Sequence, residues 1–178
     1  MTYQTNKALF ILGELNNDDL EWISHRSRKE VLPPGKILIH EGKKIDALYI
    51  VLDGVLDVII ESLGNKELGM IQAGEIVGEI SFIDERPPLA MVKVLEEATV
   101  LTIPRFQLTS KLQQDLGFAA RFYHGVSLFL TYRMRGTVMR LGYGFETEEL
   151  NHDELDENMR QSLTLAQAKF NWLVESAK

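Results

Sequence analysis

Seven glycines, Gly35, Gly42, Gly54, Gly64, Gly69, Gly74 and Gly78, cut the chain between Ile37 and Ile103 into short β-branched runs. The runs read "ILIHEG", "ALYIVLDG", "VLDVIIESLGN", "LGMIQAG" and "MVKVLEEATVLTI". Short β-branched runs at this spacing with turn residues between them indicate an antiparallel barrel or jelly roll. The "LGN" tripeptide at Leu63, Gly64 and Asn65 is the expected hairpin tip.

Helical patterns flank this region. "LNNDDLEWISHRSRK" carries a helix start at Asn17, acids Asp18, Asp19 and Glu21 in the first turn, and Arg26 and Arg28 towards its end, so both ends of the macrodipole are complemented. "LPPGK" is the expected stop, because Pro33 and Pro34 cannot extend a helix. After Pro104 a short helix is expected around Phe106 to Leu112, then a long one from about Asp115 to Leu141. The long helix has two apolar stripes: Leu116, Ala120, Tyr123, Ser127, Leu130 and Met134 on one, and Phe118, Phe122, Phe129 and Tyr132 on the other. Two stripes call for two partners, the barrel and the same helix of a second subunit. Gly142 and Gly144 then break the pattern, an acidic run from Glu146 to Glu157 follows, and Leu155, Met159, Leu163, Ala166, Phe170 and Leu173 mark a last amphipathic helix.

The expected architecture is therefore mainly β with flanking helices. An antiparallel barrel or jelly roll closed by a long helix occupies residues 1–141, and an acidic linker and amphipathic helix occupy 142–178. A chain of 178 residues suits one sizeable core, and 45% hydrophobic with 25% charged residues is ordinary for a globular protein. The absence of cysteine excludes disulfides, thiolate metal sites and cysteine nucleophiles. "MTYQTNKALFILGEL" has too short an apolar run for a signal peptide, and Arg121 and His124 interrupt the most apolar segment, Leu116 to Leu130. The expectation is a cytoplasmic protein with no membrane span. A net charge of -7 argues against a chain that embraces nucleic acid through its bulk field.

One stretch carries the chemistry. "IQAGEIVGEISFIDERPP", with "PPGKILIHEG" and "YIVLDGVLDV" ahead of it, resembles the phosphate-binding cassette and barrel glycines of the cyclic nucleotide-binding domain family. The resemblance runs from about Leu9 to Leu141 and implies a β-roll that binds cyclic AMP or cyclic GMP. It also implies roles for the cassette. Gly78 lets backbone approach the ligand, Glu79 accepts the ribose hydroxyl, and Ile80 and Ser81 offer N–H groups to the phosphate at a helix start.

The family's arginine sits in an Arg-x-Ala pattern, and here the corresponding residues are Leu89, Ala90 and Met91. Loss of a charge-assisted phosphate contact costs about 3–5 kcal/mol, roughly two to three and a half decades of affinity. Arg86 is the nearest substitute cation. Lys93 is the other, though alternation puts it on the strand face opposite Val92 and Val94. By an ungapped alignment of helix starts, the base contacts of the transcription-factor branch fall at Thr131 and Tyr132.

Three functions stay open at this point. The first is a stand-alone, non-enzymatic regulatory domain with altered ligand affinity, homodimeric through the helix at 115–141. The second is a ligand-free dimeric scaffold whose acidic tail and last helix engage another protein. The third is a barrel metalloenzyme, which has little support: His25, His40, His124 and His152 are isolated and form no His-x-His pair. Ser81 and Ser127 have no His–carboxylate constellation near them in sequence. Residues 142–178 begin strongly acidic and hold one long helix, so a DNA-reading helix-turn-helix is not expected there.

Overall fold

The computed structural model describes residues 9–140 and 157–177. Two helices open it, α1 (Leu9–Glu14) and α2 (Asn17–Arg26). The β-roll follows: β1 (Arg28–Leu32), β2 (Ile37–Ile39), β3 (Ala47–Ile60), β4 (Lys66–Gln72), β5 (Ile76–Val77), the short helix α3 (Glu79–Asp84), and β6 (Met91–Pro104). Helices α4 (Arg105–Gln114), α5 (Leu116–Arg140) and α6 (Glu157–Ser176) complete it. All the strand pairs are antiparallel and run in the order β1-β6-β3-β4, with β2 on β6 and β5 on β3. This is the expected helix-flanked β-roll. The seven glycines that punctuate the sequence all have positive φ.

One expectation at the N-terminal end needs correction. Helix α2 starts at Asn17 as expected, with Asn16 as its cap: the Asn16 side chain accepts from the Asp19 N–H and the Asp19 carboxylate accepts from the Asn16 N–H. The helix ends at Arg26, ahead of "LPPGK", because Arg28 to Leu32 pair with Thr102 to Ala98 as an edge strand. The prolines therefore end β1, and the basic residues of the helix's last turn are His25 and Arg26. The "LGN" tip holds: Gly64 and Asn65 both have positive φ between a 3-10 turn and β4.

Strands β3 and β6 bury residues on both faces, and so build two cores. Val51, Leu56, Val77, Val94, Ala98 and Val100 fill the roll. Leu48, Ile50, Leu52, Leu101 and Ile103 face the helices, where Phe118, Phe122 and Phe129 of α5 meet them. Full burial of a side chain such as Phe118 stabilises by about 2–3 kcal/mol, so the phenylalanine stripe contributes strongly to holding α5 on the sheet. The other stripe of α5 is mostly uncovered: Leu116 is 80% exposed and Met134 69%, while Leu130 is half-buried against the helix-side core. Helix α6 packs on α1 and α2 through Ala166, Phe170, Leu173 and Ala177. The glycine break at Gly142 and Gly144, His152 and the acidic run as far as Asp156 lie outside the described residues.

Candidate functional site

The chain turns into α3 at Gly78, whose φ of 95° puts it in the left-handed region. A Cβ there would stand 2.8 Å from Ile45 Cδ1 and 3.3 Å from the Ala47 carbonyl oxygen, so only glycine lets the cassette lie against the 45–47 segment. Glu79 comes next, 3% exposed, and its carboxylate accepts a 2.6 Å bond from Arg133 Nη1 on α5. Burial pushes the Glu79 carboxyl above the usual carboxylate range, against the pull of Arg133 and the N–H groups of Gly78 and Glu79. Arg133 also lies over the Phe129 ring, 5.4 Å from its centroid.

A second arginine fixes the other end of α3. Arg105 donates to the Ser81 and Phe82 carbonyl oxygens at 3.0 and 3.3 Å, carbonyls that the end of a short helix leaves without partners. Its guanidinium sits 5.0 Å from the Phe82 ring centroid, and Phe82 meets Phe122 of α5 edge to face at 6.0 Å. The cassette helix is thus held at its start by α5 and at its end by α4. An open groove of about 610 Å³ runs along α4 beside Arg105, lined by Ile45, Asp46, Phe106 and Thr109; Glu79 is not part of its wall.

The remaining expected site residues are spread over the cassette and α5. Ser81 is buried and Ile80 exposed in α3, and Ala90 is half-buried just ahead of β6. Leu89 is 81% exposed. Arg86 is exposed and leans on Asp84, its Nε 4.0 Å from Oδ2, while its N–H donates to Asp84 Oδ1 at 3.0 Å. Lys93 projects on the exposed face of β6 while Val92 and Val94 are buried, as alternation requires. Thr131 is exposed and Tyr132 packs against the helix-side core.

It is Arg133, two residues on, by which the long helix reaches the cassette. Sequence reasoning missed Arg133 and Arg105. One signal was available for Arg133: it continues the buried stripe of Phe122 and Phe129 by one further helical step, and a cation on a buried face points to a buried acid. Of the histidines, His25 lies on α2, His40 follows β2, and His124 of α5 contacts Glu14 of α1 at 2.8 Å. Among the described residues no three metal-ligating side chains cluster, and no helix is long and apolar enough to cross a membrane.

Known proteins share this fold. Residues 29–115 match the family model of the cyclic nucleotide-binding domain. Lysophospholipase nte1 of Neosartorya fischeri is 31% identical over 123 residues, which are 68% of this chain and 7% of that protein. The cAMP-activated global transcriptional regulator CRP of Salmonella typhimurium is 26% identical over 112 residues, 60% of this chain and 53% of the regulator. The chain thus spans only a small part of the first relative and about half of the second. A crystal structure of a cyclic nucleotide-binding domain from Methylobacillus flagellatus superposes with a TM-score of 0.69 at 22% identity, over 80% of this chain and 85% of that one. By its β-roll, its cassette and these matches, the chain belongs to the cyclic nucleotide-binding domain family.

Proposed function

We propose that the chain is a non-enzymatic regulatory domain that senses a cyclic nucleotide through the cassette at Gly78 to Ser81, with weakened affinity. The observation that carries this reading is the buried Glu79 bridged to Arg133, which joins the cassette directly to the long helix. A ligand hydroxyl that binds Glu79 changes the partner of Arg133, so occupancy is felt by α5. The shift is limited to the ligand's differential affinity for the two arrangements.

In this reading Glu79 accepts the ribose hydroxyl, Ile80 and Ser81 supply N–H groups to the phosphate, and Ala90 borders the phosphate position. Thr131, exposed on α5, is then available to a ligand's base. Leu89 leaves the phosphate without its usual cation. Arg86 is the substitute, because its pair with Asp84 is solvent-exposed, worth about 0–1 kcal/mol, and easily given up.

Calorimetric titration with cyclic AMP and cyclic GMP, with AMP as control, tests the assignment. Weak binding of a cyclic nucleotide is expected, in the range of about a millimolar, and Leu89→Arg is expected to tighten it by about a hundredfold or more. Heat equal to dilution for both proteins, up to millimolar ligand, would remove the sensor role and leave the ligand-free scaffold.

The exposed stripe of α5, with Leu116, Tyr123, Met134 and Val138, supports a homodimer built along that helix; in this reading the domain works in the cytoplasm and makes no DNA contact. Sedimentation equilibrium at micromolar concentration is expected to give a dimer, and Met134→Glu a monomer. A wild-type monomer would refute the interface.

A further inference from the structure

Helix α1 is only six residues long, "LFILGE", well short of the length at which a helix persists alone in water. Its stability has to come from what packs on it, and two helices do: α5 on one side and α6 on the other. On the α5 side the contact is tight, since a Cβ at Gly125 would stand 2.7 Å from Ile11 Cα. His124 adds its 2.8 Å contact with Glu14.

On the α6 side, Lys169 Nζ donates to the Gly13 and Leu15 carbonyl oxygens at 2.7 and 2.6 Å. These are carbonyls at the end of α1, a position where helices leave acceptors without partners. Burial pulls the Lys169 ammonium below its ordinary range, with Glu14 and Asp19 opposing it. Phe170 and Leu173 drive into the same core as Ile11 and Leu12, and the far end of α6 is tied by a bond from Lys29 Nζ to the Val174 carbonyl oxygen at 3.2 Å. From Gly125, where α1 leans on the long helix, to Arg133, where that helix holds Glu79, is two turns of α5, about 12 Å.

We infer that α6 is a strap acting in cis. By capping and covering α1 it seats the Gly125 segment of α5, and thereby keeps Arg133 on Glu79. Release of α6 removes the support of α1, frees the middle of α5, and loosens the Glu79–Arg133 bridge. The consequence for ligand binding rests on the cassette reading above; the mechanical link does not. By reciprocity, a ligand that takes Glu79 from Arg133 weakens the seating of α6.

Hydrogen–deuterium exchange on the full chain without nucleotide tests the link. Two variants serve. Lys169→Met removes the cap and keeps the apolar packing, and Leu173→Asp unseats α6 outright. Each is expected to speed exchange about tenfold or more in residues 9–14, in 125–133 and in 79–84, while β3 and β6 keep their protection. Faster exchange confined to α1 and α6, with 125–133 and 79–84 unchanged, would overturn the strap. So would unchanged exchange everywhere in Lys169→Met. If Leu173→Asp loses protection in β3 and β6 as well, Lys169→Met alone decides. Silence in the nucleotide titration fails the cassette reading and leaves these outcomes as they stand.

Discussion

Gly54→Ala is expected to yield a chain without a stable β-roll. Gly54 has φ +89° in the middle of β3, where the pairing with β6 shifts register on both sides of it. An added Cβ would fall on the Glu97 carbonyl oxygen and stand 2.5 Å from Ala98 Cα and 2.8 Å from Ala98 Cβ. These obstacles are largely backbone of β6 at Glu97 and at the fully buried Ala98, so no rotamer change relieves them. The left-handed conformation adds its own penalty of about 1 kcal/mol for a residue with a Cβ. The sum exceeds about 4 kcal/mol, a large part of the roughly 5–15 kcal/mol that holds a domain of this size folded. Urea unfolding followed by circular dichroism measures it, and a loss under about 1.5 kcal/mol would show that β3 and β6 can part at this crossing.

The second large effect is expected at Asp19. Its carboxylate is 1% exposed, accepts from Asn16 N–H at 2.9 Å, and takes both Nε and Nη2 of Arg121 at 2.6 and 2.9 Å. One side chain thus completes the capping box of α2 and pins α2 to α5. Asp19→Ala loses the reciprocal half of the capping box, worth about 1 kcal/mol or less, and leaves the Arg121 guanidinium without its buried partner. Arg121 keeps a third of its side chain in water, which discounts the second cost to about 2 kcal/mol. The expected total is about 3 kcal/mol, read as a fall in the urea midpoint with an unchanged slope. Asp19→Asn keeps the shape and one acceptor, and is expected to lose about half as much. Equal stability of Asp19→Ala and wild type would mean that the fork carries no weight.

Arg121 and Arg133 do the same thing at two places on α5: each reaches a buried acid, Asp19 on α2 and Glu79 in the cassette. The sequence shows both arginines, yet Arg121 reads there only as an interruption of an apolar run, and Arg133 only as a cation that continues the phenylalanine stripe. Charge on a long helix has no visible partner until another element supplies the acid. The acids lie 102 and 54 residues away along the chain. No local pattern encodes such a distance.

The helix that ends before "LPPGK" illustrates the same limit. Prolines mark where a helix cannot continue, but they do not forbid an earlier end, and Arg28 to Leu32 became a strand because β6 offered an edge to pair with. A run of five residues with two bases and one acid carries no alternation strong enough to announce that strand.

What the sequence alone determined is the β-roll, its turns, the Gly78 turn into a short helix and the long closing helix. Glycines at positive φ, β-branched alternation and the 3.6-residue repeat act over a few residues, so they are written locally and can be read locally. Only the tertiary structure decided that Arg133 is the residue on Glu79, that Arg105 holds the far end of α3, and that α6 folds back onto α1. Each of these joins groups far apart in the chain. Their pairing is selected by the cost of a buried charge, an unpartnered carbonyl or an uncovered apolar face, and that cost exists only once the chain has closed around them.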